Sequence, residues 1–380
     1  MAEALVNGRV LVGGEFQTGR TVVIDGERIA TILADDDLPA DIASLDLQGQ
    51  MLVPGFIDTQ VNGGGDHLFN DDPSVDTIAA IGAAHRRFGT TGFLPTLISD
   101  DAGKIEEALE AVRAAIAAGV PGLLGIHIEG PFLNVEKKGI HDAEKLRPID
   151  EEEIGIVSRG TGGRTIVTLA PEEVPAESIR RLSDAGVLVC AGHSNASADC
   201  IAEALGNGLR GFTHLFNAMS QLTAREPGVV GAALYDEESW CGIIVDGYHV
   251  DPRVLKLALR SAPLSRFMLV TDAMPSVGGS KTFMLGRETI SVVDGKAANA
   301  DGTIAGSDLD MASAVRNARS MLGLDLADAV TMASANPAAF LGLDHELGRI
   351  ADGYRASLVL LDDKLQVAET WIDGVRSGAA

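Results

Sequence analysis

The sequence predicts an α/β fold: a (β/α)₈ barrel of the TIM type, accompanied by a small β-domain assembled from both chain ends. Three observations carry that prediction. Eight short apolar runs alternate with alanine-rich amphipathic segments through the middle of the chain. Both ends are instead dense in apolar runs cut by turn dipeptides. The polar and ionisable residues of the middle region collect where the apolar runs stop, which is where barrels carry their chemistry. A doubly wound sheet is the competing arrangement. Against it, no GxGxxG follows the first run and no GxxxxGK[ST] occurs anywhere.

In chain order, residues 1–53 read as the first part of the small β-domain. "ALVNGRVLVGG" and "TVVIDGERIATI" carry Asn-Gly and Asp-Gly, both strong hairpin signals. Residues 54–344 read as the barrel. Its strands are expected in "MLVPGFID", "GFLPTL", "GLLGIHIEG", "TIVTLA", "GVLVCAGH", "GFTHLF", "WCGIIVDG" and "RFMLVTDA". Helices are expected between them, over 76–88, 102–118, 177–185 and 198–206 among others. Residues 278–306 break the rhythm and read as a β-hairpin inserted after the eighth strand. Residues 345–380, with "ASLVLLDDKLQVAETWIDGVRSG", return to the texture of the N-terminus and complete the small domain.

Composition removes several classes of function. The 380 residues carry a formal charge of −24, which argues against nucleic acid or an anionic membrane as partner. A small anionic substrate remains compatible, because one local arginine can hold a phosphate while distant charges are screened. Cys190, Cys200 and Cys241 form no CxxC pair and cannot all pair within the chain, which suits a reducing compartment. The N-terminus has neither a basic n-region nor a long apolar h-region, and no apolar run approaches about 18 residues. A cytoplasmic protein is expected.

The strand ends hold a recognisable chemistry. The first ends at Asp58, Gln60 and Asn62, the third at His127 and Glu129, the fifth at His193, and the sixth at His214 with Asn217 after it. The seventh ends at Asp246 and His249 and the eighth at Asp272, while His141 lies in the loop "KKGIH". Glu129, His193 and His214 make a plausible three-ligand divalent site of the kind that leaves a position for water. Asp272 would take that water's proton and return it to a leaving group, which describes hydrolysis of an amide or ester. Each residue alone has an ordinary explanation. A strand-end histidine is usually a hydrogen-bonded structural group, "VTDA" is a common turn, and "AGHSN" resembles an N-cap. Their joint placement at strand ends favours a site.

At this point the motifs "PGFID", "HIEGPF", "AGHSNA", "THLFNAM", "REPG" and "VTDA" resemble, in order, those of the N-acetylglucosamine-6-phosphate deacetylases of the amidohydrolase superfamily. The closing "LGRIADGYRASLVLLD" is similar to that superfamily's return into its small β-sandwich. The resemblance implies hydrolysis of the acetamide of N-acetyl-D-glucosamine 6-phosphate. It implies Glu129, His193 and His214 as metal ligands, Asp272 as base and then acid, and His141 as the group that helps polarise the carbonyl. It further implies His249 at the sugar, Asn217 and Ala218 at the phosphate, and Arg225 reaching a neighbouring subunit's phosphate in a homodimer. One divalent metal per subunit is expected, zinc first, with iron(II), cobalt or manganese compatible with the same donors.

Gln60 and Asn62 stand where many amidohydrolases carry His-x-His for a second metal. Amides are poor ligands for zinc-like ions, so these two are expected to line a vacant second-metal position. Three alternatives stay open: the galacto epimer as substrate, another N-acyl amidohydrolase activity, and a non-catalytic amidohydrolase-like structural protein.

Overall fold

The structure is a computed structural model that describes residues 2–378. The chain divides into two compact units, Met1–Asp58 with His85–Gly92 and Asp310–Ala380, and Thr59–Ala84 with Phe93–Leu309.

Eight strands form one sheet in strict chain order. They are β1 (Phe56–Val61), β2 (Thr90–Ile98), β3 (Gly125–Glu129), β4 (Arg164–Leu169), β5 (Leu188–Ala191), β6 (Leu209–Phe212), β7 (Trp240–Ile243) and β8 (Phe267–Leu269). The pairings from β2 through β8 are all parallel, with Glu129 opposite Thr168 and Ala191 opposite Phe212. The ring closes just beyond β8, where Ala273 bridges Val61 in parallel and accepts a hydrogen bond from the Asn62 amide at 2.9 Å. This is the barrel the alternating runs predict, except that the first run divides: Met51–Pro54 pairs in a different sheet, and the barrel strand begins at Phe56. Its strands are buried along almost their whole length because a parallel sheet is covered on both faces.

The four expected helical stretches fold as Val75–Arg86, Ala102–Ala117, Ala176–Asp184 and Ala198–Gly206. In the second, Ile105, Ala108, Leu109 and Val112 are buried at i, i+3, i+4 and i+7, the stripe of a helix lying on a core. Residues after the eighth strand form a three-stranded antiparallel sheet, Thr282–Leu285, Glu288–Val293 and Lys296–Ala298.

The other unit contains two sheets. One orders Arg28–Ala34, Arg20–Asp25, Glu3–Val6 and Ala43–Asp46. The other orders Val375–Arg376, Val367–Ile372, Leu358–Leu361, Met51–Pro54, Arg9–Val12 and Glu15–Gln17. Leu5, Val22, Ile24 and Ile29 from the first sheet pack with Leu52, Leu358, Leu360 and Trp371 from the second in one buried core. N-terminal and C-terminal strands thus share a sandwich.

The two turn dipeptides behave differently. Asp25-Gly26 closes a hairpin, with Asp25 opposite Arg28. Asn7-Gly8 does not close one, because Glu3–Val6 and Arg9–Val12 belong to different sheets. Asn7 has a left-handed φ of 55°, and its side chain donates to Asp46 at 2.8 Å. The flanking strands pair instead with the parallel segments Ala43–Asp46 and Met51–Pro54, and those pairings decide the turn.

Candidate active site

Six side chains converge at the C-terminal mouth of the barrel, carried there by the ends of β1, β3, β5, β6 and the turn after β8. Glu129, His193 and His214 are buried. Glu129 Oε1 lies 3.1 Å from His193 Nε2 and 2.9 Å from His214 Nε2, and the two nitrogens are 3.0 Å apart. Backbone contacts fix one tautomer. His193 Nδ1 lies 2.8 Å from the Lys137 carbonyl oxygen, which can only accept, so the proton sits on Nδ1. The bare Nε2 of a neutral His193 therefore faces a carboxylate oxygen, acceptor against acceptor. A cation between them turns that repulsion into ligation, and one carboxylate with two imidazoles is a donor set for a zinc-like ion. The residues fit a divalent metal. No other group of three His, Cys, Asp or Glu among the described residues lies close enough to hold one.

Burial opposes ionisation of Glu129, yet the close approach of His193 and His214 holds its carboxyl well below the usual range. Its second oxygen accepts from Gln60 Nε2 at 3.1 Å. The same nitrogen lies 3.2 Å from Asp272 Oδ1, and Asn62 Nδ2 donates to that oxygen at 2.6 Å. Gln60 thus ties the two carboxylates together, and Asn62 lines the cavity beside Asp272. Both hydrogen bonds fall on Oδ1, which leaves Oδ2 as the working atom of Asp272. Burial, then the Glu129 charge, push the Asp272 carboxyl up to about 6, with His214, His249 and Asn62 acting in the opposite sense.

His141 also faces the cavity. Its Nδ1 is 2.7 Å from Ser99 Oγ and accepts from the Ser99 amide at 3.4 Å. A backbone N–H can only donate, so the ring proton sits on Nε2. Burial first, then the nearby His193, lower its pKa to about 3, and the ring is a neutral N–H donor. His249 is set by Asp246, whose Oδ2 lies 2.6 Å from His249 Nδ1 and whose Oδ1 accepts from the amides of Tyr248 and His249. That arrangement leaves His249 Nε2 for a ligand.

Asn217 and Ala218 line the same cavity on the turn after β6. Phe216 and Ala218 have φ of 82° and 49° there. His193, His214 and Asp272 are left-handed as well, at 49°, 34° and 53°. Non-glycine residues held so in three strand-to-loop turns mark where the backbone gives up comfort to aim a side chain. Arg225 is apart from this group. It is exposed in the loop before helix Gly228–Tyr235, has no side-chain hydrogen bond or ion pair among the described residues, and is not among the residues lining the cavity.

Two features escape a reading by residue type. His127, at the end of β3, is no part of the cavity: its Nδ1 donates to the Thr59 carbonyl and its Nε2 lies 2.7 Å from Thr168 Oγ1. It is a structural histidine whose pKa burial lowers to about 4. The cavity also has an aliphatic side, Ile98, Ile140, Met274, Leu285 and Ile304, which no ionisable residue announces in the sequence.

Comparison with known proteins agrees with this geometry. Residues 51–376 match the amidohydrolase family, and residues 4–52 match the NagA composite domain. The chain is 46% identical over 342 residues to an N-acetylgalactosamine-6-phosphate deacetylase of Shewanella sp. (strain ANA-3), covering 88% of this chain and 85% of that one. It is 34% identical to the N-acetylglucosamine-6-phosphate deacetylase of Haemophilus influenzae over 98% and 99% of the two chains. Its fold superposes on the crystal structure of N-acetylglucosamine-6-phosphate deacetylase from Pasteurella multocida with a TM-score of 0.96, at 35% identity over 99% of this chain and all of that one.

Proposed function

The chain belongs to the amidohydrolase family, and from that premise we propose that it hydrolyses the acetamide of N-acetyl-D-glucosamine 6-phosphate to D-glucosamine 6-phosphate and acetate. The observation that carries the reading is the meeting, in one cavity, of a three-ligand metal site, a carboxyl poised near pH 6 and a histidine fixed as a neutral donor. Relatives on both sides of the comparison bear that activity in their names.

Glu129, His193 and His214 would hold the cation, zinc by its donor set, and the cation supplies Lewis acidity toward a carbonyl and a lowered pKa for water. The chain's own groups do the rest. Asp272 takes the proton of the attacking water on Oδ2, while Gln60 and Asn62 keep Oδ1 in place. His141 Nε2–H donates to the carbonyl oxygen as negative charge builds on it, which stabilises the transition state more than the ground state. Asp272 then returns its proton to the departing amine. His249 Nε2 is set to receive a sugar hydroxyl, and Asn217 with the Ala218 backbone forms the phosphate end.

Among the described residues, the cavity lining contains no lysine or arginine. A phosphate dianion calls for a cation, and the exposed, unpaired Arg225 supplies one if a second copy of the chain brings its loop to this cavity. We therefore read the active form as a homodimer in the cytoplasm, with Gln60 and Asn62 occupying the second-metal position and one metal per subunit.

A second reading has its own support: the 46%-identical relative is named for the galacto epimer. An acetate-release assay on protein of measured metal content decides between them, using N-acetylglucosamine 6-phosphate, its galacto epimer and the dephosphorylated sugar. The first reading expects the highest kcat/KM for the gluco phosphate. A higher value for the galacto epimer replaces it with the second, and equal values with and without phosphate remove the phosphate site.

A further inference from the structure

The cavity lining is mixed: polar groups such as Asn217 and His249 share it with Ile98, Ile140, Met274, Leu285 and Ile304. Of the latter, Met274, Leu285, Ile98 and Ile140 belong to one apolar cluster and so form a continuous aliphatic part of the wall. Chain connectivity shows which part of the chemistry the aliphatic side stands beside. Ile98 precedes Ser99, whose hydroxyl and amide both hold His141. Ile140 precedes His141 itself, and Met274 follows Asp272 by two residues. The aliphatic side chains thus flank the carbonyl donor and the proton carrier, the two groups that must face the acyl carbon.

The wall is also firmly backed. Leu285 comes from the first strand of the inserted sheet, and it packs with Leu68, Met274, Ile290, Ala297 and Ala305 in one buried cluster against which Ile98 and Ile140 rest. A close-packed core transmits volume changes and does not absorb them. An amino-sugar phosphate is polar on most of its surface, and its acyl tail is the part that gains from leaving water for aliphatic surface. Five aliphatic side chains offer more such surface than a single methyl group covers.

We propose that Leu285, with Met274, Ile98 and Ile140, forms an acyl pocket that sets the length of the N-acyl group accepted, and that N-propionyl amino-sugar phosphates are hydrolysed alongside the N-acetyl ones. This rests on the amide-hydrolase reading above. The longer substrate needs no new reactant. The water oxygen bonds to the acyl carbon, the C–N bond breaks, one water proton passes through Asp272 to the nitrogen, and an amine and a carboxylic acid leave, the acid losing the other proton to solvent as carboxylate.

The test compares N-acetyl, N-propionyl and N-butyryl glucosamine 6-phosphate in two ways. One is kcat/KM from amine release by the metal-loaded enzyme; the other is Kd from calorimetry in an Asp272→Asn background. Leu285→Ala is expected to raise the butyryl-to-acetyl ratio about tenfold or more, the worth of a methylene in an apolar pocket. Leu285→Phe is expected to lower the propionyl-to-acetyl ratio by a similar factor, and Leu285→Val gives a smaller shift should the alanine variant not fold. Ratios that stay the same across these variants, in protein that releases acetate, overturn the pocket. Kd ratios that shift in protein releasing no amine from any substrate leave the pocket standing and overturn the hydrolase reading instead.

Discussion

At the scale of single residues, tautomers and protonation states decide what the site can do. His141 acts as a donor because the Ser99 amide occupies its Nδ1 and burial keeps the ring neutral. His141→Ala should therefore lower kcat by about 10²–10³ with a smaller effect on KM, the signature of an interaction made in the transition state; steady-state kinetics on the metal-loaded variant checks this. Asp272, as the proposed base, sets the expected pH dependence. Its carboxyl must be ionised to accept a proton, and burial raises its pKa from 3.8 to about 6. Activity should fall as pH drops through that region, and a bound cation, by favouring the carboxylate, moves the limb to lower pH. A kcat/KM profile whose acid limb lies above about 6 contradicts the assignment. Most of these residues were legible in the sequence because histidines and carboxylates at strand ends stand out by type. The resemblance implied a role for each, but the tautomers were not legible, since nothing in "KKGIH" tells that Ser99 fixes the ring. Ile98, Met274 and Leu285 were invisible for a plainer reason: an aliphatic residue looks the same in a core and in a pocket wall.

At the scale of elements, strand ends and their turns do the positioning. β3 delivers Glu129, and its opening residue shows how tightly it is fitted: a Cβ on Gly125 would stand 1.8 Å from the Arg164 carbonyl oxygen on β4. Gly125 also has a φ of 155°. Gly125→Ala should force the two strands apart and destabilise the protein by more than about 3 kcal/mol, in the range of severe core mutations; denaturant unfolding at fixed metal concentration reads it. The barrel strands were legible because each apolar run has a strand's length and is bounded by turn residues, and the helices because their stripes repeat at helical spacing. The Asn7-Gly8 turn was not. The dipeptide permits a hairpin, but the parallel partners at 43–46 and 51–54 compete for the flanking strands and win. Local propensity says nothing of partners some 40 residues away.

At the scale of the whole molecule, a strongly acidic chain has to receive a phosphorylated substrate in a cavity without a lysine or arginine of its own. In the homodimer proposed above, Arg225 from a second copy would resolve that. Arg225→Ala should raise KM for the phosphorylated sugar at least tenfold and leave the dephosphorylated sugar nearly unaffected, as expected for one lost charge-assisted hydrogen bond; parallel kinetics on the two sugars shows the difference. The sequence carried the order of motifs from end to end, so the barrel and its sandwich followed from it. The partner of an exposed loop leaves no pattern of its own within one chain, which is why the role of Arg225 rests on the resemblance of "REPG" and on the phosphate's need for a cation. In the proposed reaction, a cation held by Glu129, His193 and His214 works with Asp272 to hydrolyse an acetamide. Its most direct test is acetate release from N-acetyl-D-glucosamine 6-phosphate by wild type and Asp272→Asn at equal, measured metal content. Wild type is expected to give acetate and amino-sugar phosphate in equal amounts, and the metal-retaining variant a rate lower by about 10²–10⁴. An inert metal-loaded wild type, or a fully active Asp272→Asn enzyme, contradicts it.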